Sequence, residues 1–253
     1  MGTEVGRLNK STELIPAAPE LLRPHSHWQL TGPLDLFSGA RGPGLATQAA
    51  RGRRLRLLAE PAEAGRLQGQ LLEDGYRGWI EPDQLLGRAW SCNPQGPRQL
   101  QEHEIEARLG AVLSFALAAA AEANSYLWGG SLGPDYDCSG LVQTAFASAG
   151  IWIPRDAYQQ ERFCQPVAVE PSCFSLLRRG DLIFFGSPQR CSHVGLHLGE
   201  GRYLHSSGRS HGRNGIGIDG LSPRDQHPVA CHYRSELRGA GRVRRCHDGS
   251  HLP

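Results

Sequence analysis

Apolar and polar positions change period twice along this chain of 253 residues. Between Trp28 and about Leu86 they alternate in short bursts: Leu34-Asp-Leu-Phe37, Arg54-Leu-Arg-Leu-Leu58, Arg66-Leu-Gln-Gly-Gln-Leu-Leu72 and Gly78-Trp-Ile-Glu81. Ser38-Gly39, Gly42-Pro43-Gly44 and Glu73-Asp-Gly75 punctuate them. Alternation broken by turn residues predicts about five short strands, hence a small barrel over 28–88. A Pro- and Gly-bearing linker follows over 89–102. The period then becomes helical. Ile105, Leu109, Val112, Leu113, Ala116, Leu117 and Ala120 form a stripe, so the spacing predicts a helix from His103 to Asn124. Glu102, Glu104 and Glu106 load its first turns with acid, as the helix dipole prefers. Leu141, Val142, Ala145, Phe146 and Ala149 predict a second helix, stopped by Gly150. Asp156 is a candidate N-cap for a short third helix from Ala157.

Beyond a loop-like stretch at 166–179 the pattern returns to strands. These are Asp181–Phe185, Ser192–Leu198, Arg202–Ser206 after the turn Gly199-Glu-Gly201, and Gly215–Ile218. The expected fold class is α+β: a small N-terminal barrel, then a domain over 103–238 with an antiparallel sheet. Residues 1–27, polar and holding three prolines, and 239–253, rich in arginine, read as tails of little structure.

Composition narrows the function classes. The net charge is only +2, which argues against nucleic acid as a partner. No apolar run approaches the ~20 residues that span a bilayer. Seven cysteines at irregular spacing, with no CxxC, do not describe a disulfide framework and fit a reducing compartment. No basic segment followed by an apolar one opens the chain, so the expectation is a cytoplasmic protein.

The candidate chemistry starts at Cys138, in Tyr126-Leu-Trp-Gly-Gly-Ser-Leu-Gly-Pro-Asp-Tyr-Asp-Cys-Ser-Gly140. This position is at or just before a helix N-terminus, where free N–H groups and the dipole favour a thiolate. A small buried cysteine under a helix is the bland alternative. His193 begins one strand, and His205 lies on its hairpin partner, within reach on one face. A cysteine peptidase needs a thiol, an imidazole base and a third group that fixes the base's tautomer. Cys138, His193 and His205 meet that need in papain order. A metal site is the rival, since Cys138, His193, His205 and His211 are all zinc-type ligands. None of their spacings is a zinc motif, and His193 and His197, four residues apart on a strand, stand ~13 Å apart. No metal and no organic cofactor is expected. His197 reads as an edge-strand or surface residue, and Cys191, two residues before His193, as structural.

Tyr126-x-Trp-Gly-Gly, Asp137-Cys-Ser-Gly-Leu-Val-Gln, Arg179-Gly-Asp-Leu-Ile-Phe-Phe, His193-Val-Gly-Leu-His-Leu-Gly and Tyr203-Leu-His-Ser-Ser-Gly208 occur in this order. Together they resemble the NlpC/P60 family of bacterial cell-wall cysteine peptidases, over roughly residues 104–235. Asp74-Gly-Tyr-Arg-Gly-Trp-Ile resembles the end of a bacterial SH3-type domain. The pair is similar to γ-D-glutamyl-L-diamino acid endopeptidases, which cut peptidoglycan stem peptides between D-Glu and the diamino acid. The resemblance implies a papain-like catalytic domain with Cys138 as nucleophile, His193 as base and His205 as third member. It implies Trp128, Asp137 and Ser139 around the cleft, and Arg155-Asp156 at the D-Glu subsite, with Arg155 available for its α-carboxylate. Many members continue with Ser, where this chain has Ala157. Tyr76 matches an SH3-domain tyrosine that reaches the cleft and helps recognise the free α-amine of L-Ala. Asp74 and Glu73 are the alternatives for the charge that meets this ammonium.

An SH3-type domain that walls off one end of a cleft admits only a peptide with a free N-terminus. The expected partner is therefore a freed L-Ala-γ-D-Glu-diaminopimelate stem peptide, handled by a monomer in cell-wall peptide recycling. Two alternatives stand beside this one. The first is a secreted hydrolase of intact peptidoglycan. The second is an inactive module that only binds peptidoglycan peptides.

Overall fold

Alternation of buried and half-buried residues builds the N-terminal part. The structure, a computed structural model, describes residues 14–59 and 63–252. Strands β1 (His27–Leu30), β2 (Leu34–Phe37), β3 (Leu45–Ala49), β4 (Arg54–Leu57), β5 (Leu67–Leu71), β6 (Arg77–Ile80) and β7 (Ala89–Ser91) form one antiparallel sheet in the order β3-β2-β6-β5-β4-β1-β7. Its inner positions, among them Trp28, Leu30, Leu34, Leu36, Leu55, Leu71 and Ile80, make one apolar core. β7 falls inside the stretch whose prolines suggest a linker. It pairs with β1, so the barrel's sheet runs further than the alternation signalled. The segment before β1 is docked from residue 15 onward. Ala17 is buried, and its N–H donates to the Ala89 carbonyl at 2.8 Å. Residues 1–13 of the expected tail lie outside the described residues.

The second part packs helices on a six-stranded antiparallel sheet. Its helices are α1 (Glu102–Ala121), α2 (Cys138–Ser148), α3 (Ala157–Phe163) and α4 (Pro228–Ser235). Its strands are β8 (Gln165–Val167), β9 (Leu182–Ser187), β10 (Arg190–Gly199), β11 (Arg202–Ser207), β12 (Gly215–Gly220) and β13 (Leu237–Arg242), in the order β12-β11-β10-β9-β13-β8. β9 is an unbroken apolar run because both its faces are covered. Leu182 and Phe184 enter the core beneath α1 and α2, while Ile183 and Phe185 enter a second core with Tyr203 and Tyr233.

The C-terminal stretch differs most from expectation. β13 lies inside the sheet between β9 and β8, not in a frayed tail. Its sequence, Leu-Arg-Gly-Ala-Gly-Arg, is too poor in apolar residues to signal a strand. Yet Gly241 lies so close to Cys164 and Phe184 that a Cβ there would stand 2.5 Å from the Cys164 Cβ. Beyond β13 the chain crosses to the barrel as a strap. The His247 N–H donates to the Trp152 carbonyl at 2.7 Å, and Gln70 of β5 donates to the Gly249 carbonyl at 3.2 Å. The His251 ring meets the Gly75 carbonyl at 3.3 Å, and Gln159 of α3 donates to the Leu252 carbonyl at 3.2 Å.

Gly249 holds φ at +85°, and a Cβ there would run into the Leu72 carbonyl. Gly249→Val should lower stability by about 2 kcal/mol through strain and displacement of the strap. Gly52→Val, at φ +90° in open space, should show the smaller loss of conformational strain alone. Thermal unfolding followed by circular dichroism separates the two.

Candidate active site

The floor of the site is made by one buried charge pair. Asp137 N-caps α2: its Oδ1 accepts the Gly140 N–H at 2.7 Å, and its Oδ2 accepts the Gly129 N–H at 2.9 Å. Arg155 pairs with the same carboxylate, NH2 to Oδ2 at 2.7 Å, and is 1% exposed. Its remaining N–H groups donate to Thr47 Oγ1 of β3 at 2.8 Å, Ser139 Oγ at 2.9 Å and the Gly130 carbonyl. Arg155 therefore has no donor left for a ligand and does not face the cleft. The expected pairing with a substrate carboxylate is corrected: Arg155 builds the catalytic loop. Asp137 and Ser139 touch the cleft, but their polar atoms are spent on one another and on Arg155.

This cap places Cys138 at the first position of α2, 6% exposed and beside Val194 of β10. Burial pushes its thiol up to about 12, and the Asp137 carboxylate adds to the rise. The N–H groups of Val194 and Ser139 and the Arg155 charge oppose that rise without cancelling it. Desolvation here outweighs the helix N-terminus, so the resting group is a thiol and not the thiolate expected from position alone.

A chain of short hydrogen bonds sets the base. His193 Nε2 meets His205 Nδ1 at 2.7 Å, and His205 Nε2 meets Asp219 Oδ2 at 2.7 Å. Leu196 pairs with Leu204, which sets His205 diagonally across from His193 on the same face of the sheet. A carboxylate only accepts, so His205 Nε2 carries a proton. Nδ1 of neutral His205 is then an acceptor, and His193 Nε2 must donate to it. Neutral His193 is left with an unprotonated Nδ1 that bonds to no described residue. This is the basic nitrogen. Burial holds the His193 imidazole well below its usual range, and the His205 charge would add to that effect. Burial raises the Asp219 carboxyl, but His205 and Arg213 outweigh it and keep the group below its usual value. Arg213 grips both Asp219 oxygens, at 2.8 and 2.7 Å. Tyr233 of α4 stacks on the His193 ring at 4.0 Å and 19°.

Asp219, Arg213 and Tyr233 had no signal in the sequence beyond their chemistry. Asp219 directly follows a weak Gly-Ile-Gly-Ile run. The β11–β12 register, His205 opposite Gly217 and Tyr203 opposite Asp219, is what carries it to His205. His197, expected at an edge or surface, is buried. Its Nδ1 donates to the Arg178 carbonyl at 2.9 Å, and its Nε2 accepts the Gly201 N–H at 3.2 Å, which clamps the β10–β11 turn. Cys191 lines the cleft, with its thiol pushed up to about 12 by burial.

Cys138 opens into a cavity of about 440 Å³ between the two parts of the chain. Leu45, Trp128, Tyr76, Asp156 and Arg190 are among its walls. Trp128 is 74% exposed at the mouth. Tyr76 reaches across from the barrel, its hydroxyl 3.5 Å from Asp156 Oδ1. Asp156 caps α3 only through its backbone, so its carboxylate faces the cleft. Burial pushes that carboxyl above its usual value. Asp74 and Glu73 are not available to an ammonium. Both pair with Arg53, at 2.9 and 3.1 Å, and Asp74 also accepts from Gln143 at 2.8 Å.

Two measurements test this geometry. Asp219→Asn frees His205 to take the other tautomer, so any turnover that depends on His193 should fall about a hundredfold with KM little changed. A base held well below 6.5 stays unprotonated as pH falls through that value. The acidic limb of kcat/KM should therefore lie below pH 6.5, and a limb at or above it contradicts the assignment of His193.

Comparison with known proteins agrees with the motifs. Residues 123–230 match the NlpC/P60 family, and residues 36–85 match the bacterial dipeptidyl-peptidase SH3 domain. Over 91 residues the chain is 40% identical to the bifunctional muramidase/DL-endopeptidase CwlT of Bacillus subtilis, covering 34% of this chain and 26% of that protein. Over 84 residues it is 42% identical to a γ-D-glutamyl-L-lysine dipeptidyl-peptidase of Bacillus cereus, covering 32% of this chain and 24% of that protein. These matches thus span about a quarter of each relative's length. The crystal structure of an NlpC/P60 family protein from Bacillus cereus aligns over 87% of this chain and 64% of its own, at 24% identity and a TM-score of 0.43. The chain carries an NlpC/P60 domain behind a bacterial dipeptidyl-peptidase SH3 domain.

Proposed function

We propose that this chain is a cysteine peptidase that hydrolyses the γ-D-glutamyl-L-diamino acid bond of peptidoglycan stem peptides with a free N-terminal L-Ala. The observation that carries the reading is the Asp219–His205–His193 chain, which leaves a lone pair on His193 Nδ1 in the domain that holds Cys138. The thiol gives its proton to that nitrogen as sulfur attacks the γ-carbonyl of D-Glu. The Cys138 N–H, which bonds to no described residue at the start of α2, is a free donor for the oxyanion. The imidazolium returns the proton to the departing amine. Water, deprotonated by the same nitrogen, then releases the acyl group and restores the thiol. Because thiol and imidazole both rest neutral, the charge pair forms only along the reaction, and substrate must exclude water for it to persist.

The far end of the cleft supports the choice of peptide. The Asp156 carboxylate and Tyr76 hydroxyl form an acceptor pair, suited to the ammonium of an N-terminal residue. On this reading the enzyme acts on freed peptides in wall recycling.

Incubation with L-Ala-γ-D-Glu-meso-diaminopimelate and its N-acetyl form, followed by mass spectrometry, tests the proposal. The free peptide should be cut at the γ-bond and the acetylated one at least about tenfold more slowly, since a charged hydrogen bond is lost and Asp156 is left unpaired. Cys138→Ala should abolish cleavage. Equal cleavage of both peptides would remove the amine requirement. Binding without cleavage would leave a binding module.

A further inference from the structure

The functional reading needs a cation for the substrate's carboxylates, and Arg155 does not supply one. Arg53, the other guanidinium buried between the two parts, is committed to Glu73 and Asp74. Among the described residues, one cationic side chain remains along the cavity that holds Cys138, and it is Arg190. We propose that Arg190 binds a carboxylate of the substrate and sets the preference of the cleft for an acidic over a neutral peptide. The assignment rests on the peptidase reading above.

Arg190 opens β10, three residues before His193, so one strand fixes it relative to the base. It is exposed, and its N–H accepts no role in the site: it donates to Ser187 Oγ at 3.3 Å within the β9–β10 turn. The guanidinium lies over the Tyr158 ring, 4.6 Å from its centroid. It has no ion pair and donates no hydrogen bond to any described residue. Stacking of this kind holds the plane of the group while its edge N–H groups stay free for a two-pronged contact with a carboxylate. Asp137 is the other charged side chain of the floor, and Arg155 already neutralises it.

Among the described residues the cavity thus offers one positive and one negative side chain without an ion pair, Arg190 and Asp156. L-Ala-γ-D-Glu carries the opposite pair: an ammonium on alanine and a carboxylate on the α-carbon of glutamate. Ala157 sharpens the point. Its methyl lines the cavity and offers an anion no hydrogen bond. Diaminopimelate brings two further carboxylates of the same chemistry, only one of which lysine retains, and substrate analogues separate the sources.

Steady-state kinetics of the wild type, R190Q and R190K on three peptides test the assignment. These are L-Ala-γ-D-Glu-meso-diaminopimelate, its D-isoglutamine form with the α-carboxylate amidated, and its form with L-Lys in place of the diamino acid. For the parent peptide R190Q should raise KM about tenfold. R190K, charged but without the planar fork, should recover part of that. If R190Q loses the wild-type preference for acid over amide, the D-Glu α-carboxylate is the group read. If it loses instead the preference for diaminopimelate over lysine, the distal carboxylate is read. If KM rises alike for all three, the terminal carboxylate that diaminopimelate and lysine share is read. Each of these results supports the proposal. R190Q that keeps both the wild-type KM values and every wild-type ratio overturns it while the peptidase reading stands. A wild type that cleaves none of the three overturns both.

Discussion

A guanidinium taken fully out of water is tolerable only if each of its N–H groups finds an acceptor. Arg155 meets that condition with partners from three segments: Asp137 and Ser139 at the start of α2, Gly130 in the loop before it, and Thr47 from β3 of the barrel. The ion pair is thus a joint and not a local ornament. It fixes the cap of α2, and so the height of Cys138 in the cleft. It also ties the barrel edge to the loop that carries Trp128. A residue that seems made for an anionic ligand is consumed in holding the walls apart at the right distance.

The same low-dielectric setting governs the chemistry. Burial raises the thiol and lowers the imidazole, so neither group carries charge at rest. What the fold supplies instead is proton order. Asp219, held by Arg213, dictates which nitrogen of His205 is protonated, and His205 dictates the same for His193. Each link is a short hydrogen bond between buried groups, where a wrong tautomer would set two donors or two acceptors face to face.

Strong periods were legible before any coordinates. Leu34–Phe37 is a strand to the residue, and the α1 stripe and the apolar run of β9 stand where the pattern placed them. Those signals come from burial, which composition records. Elements whose reason is space, not burial, left no trace. β13 holds a glycine at 241 because Cys164 and Phe184 stand too near for a side chain there. At the site, Cys138, His193 and His205 were visible as reactive types at workable spacing. Whether Arg155 faces ligand or loop depends on Thr47, more than a hundred residues earlier in the chain, and no local pattern encodes such a pairing. Asp219 was hidden for the same reason: its role is set by β11–β12 register.

The strap that runs from His247 to Leu252 alters how the two parts should be regarded. It takes hydrogen bonds from Gln70 in the barrel and Gln159 in α3, and its His251 ring meets the Gly75 carbonyl beside Tyr76. During synthesis these residues leave the ribosome after every surface they bind. The barrel can therefore acquire its own core early, while the wall of the cleft that it contributes is locked only when the strap arrives. Assembly order thereby separates the folding of each part from the completion of the cleft between them.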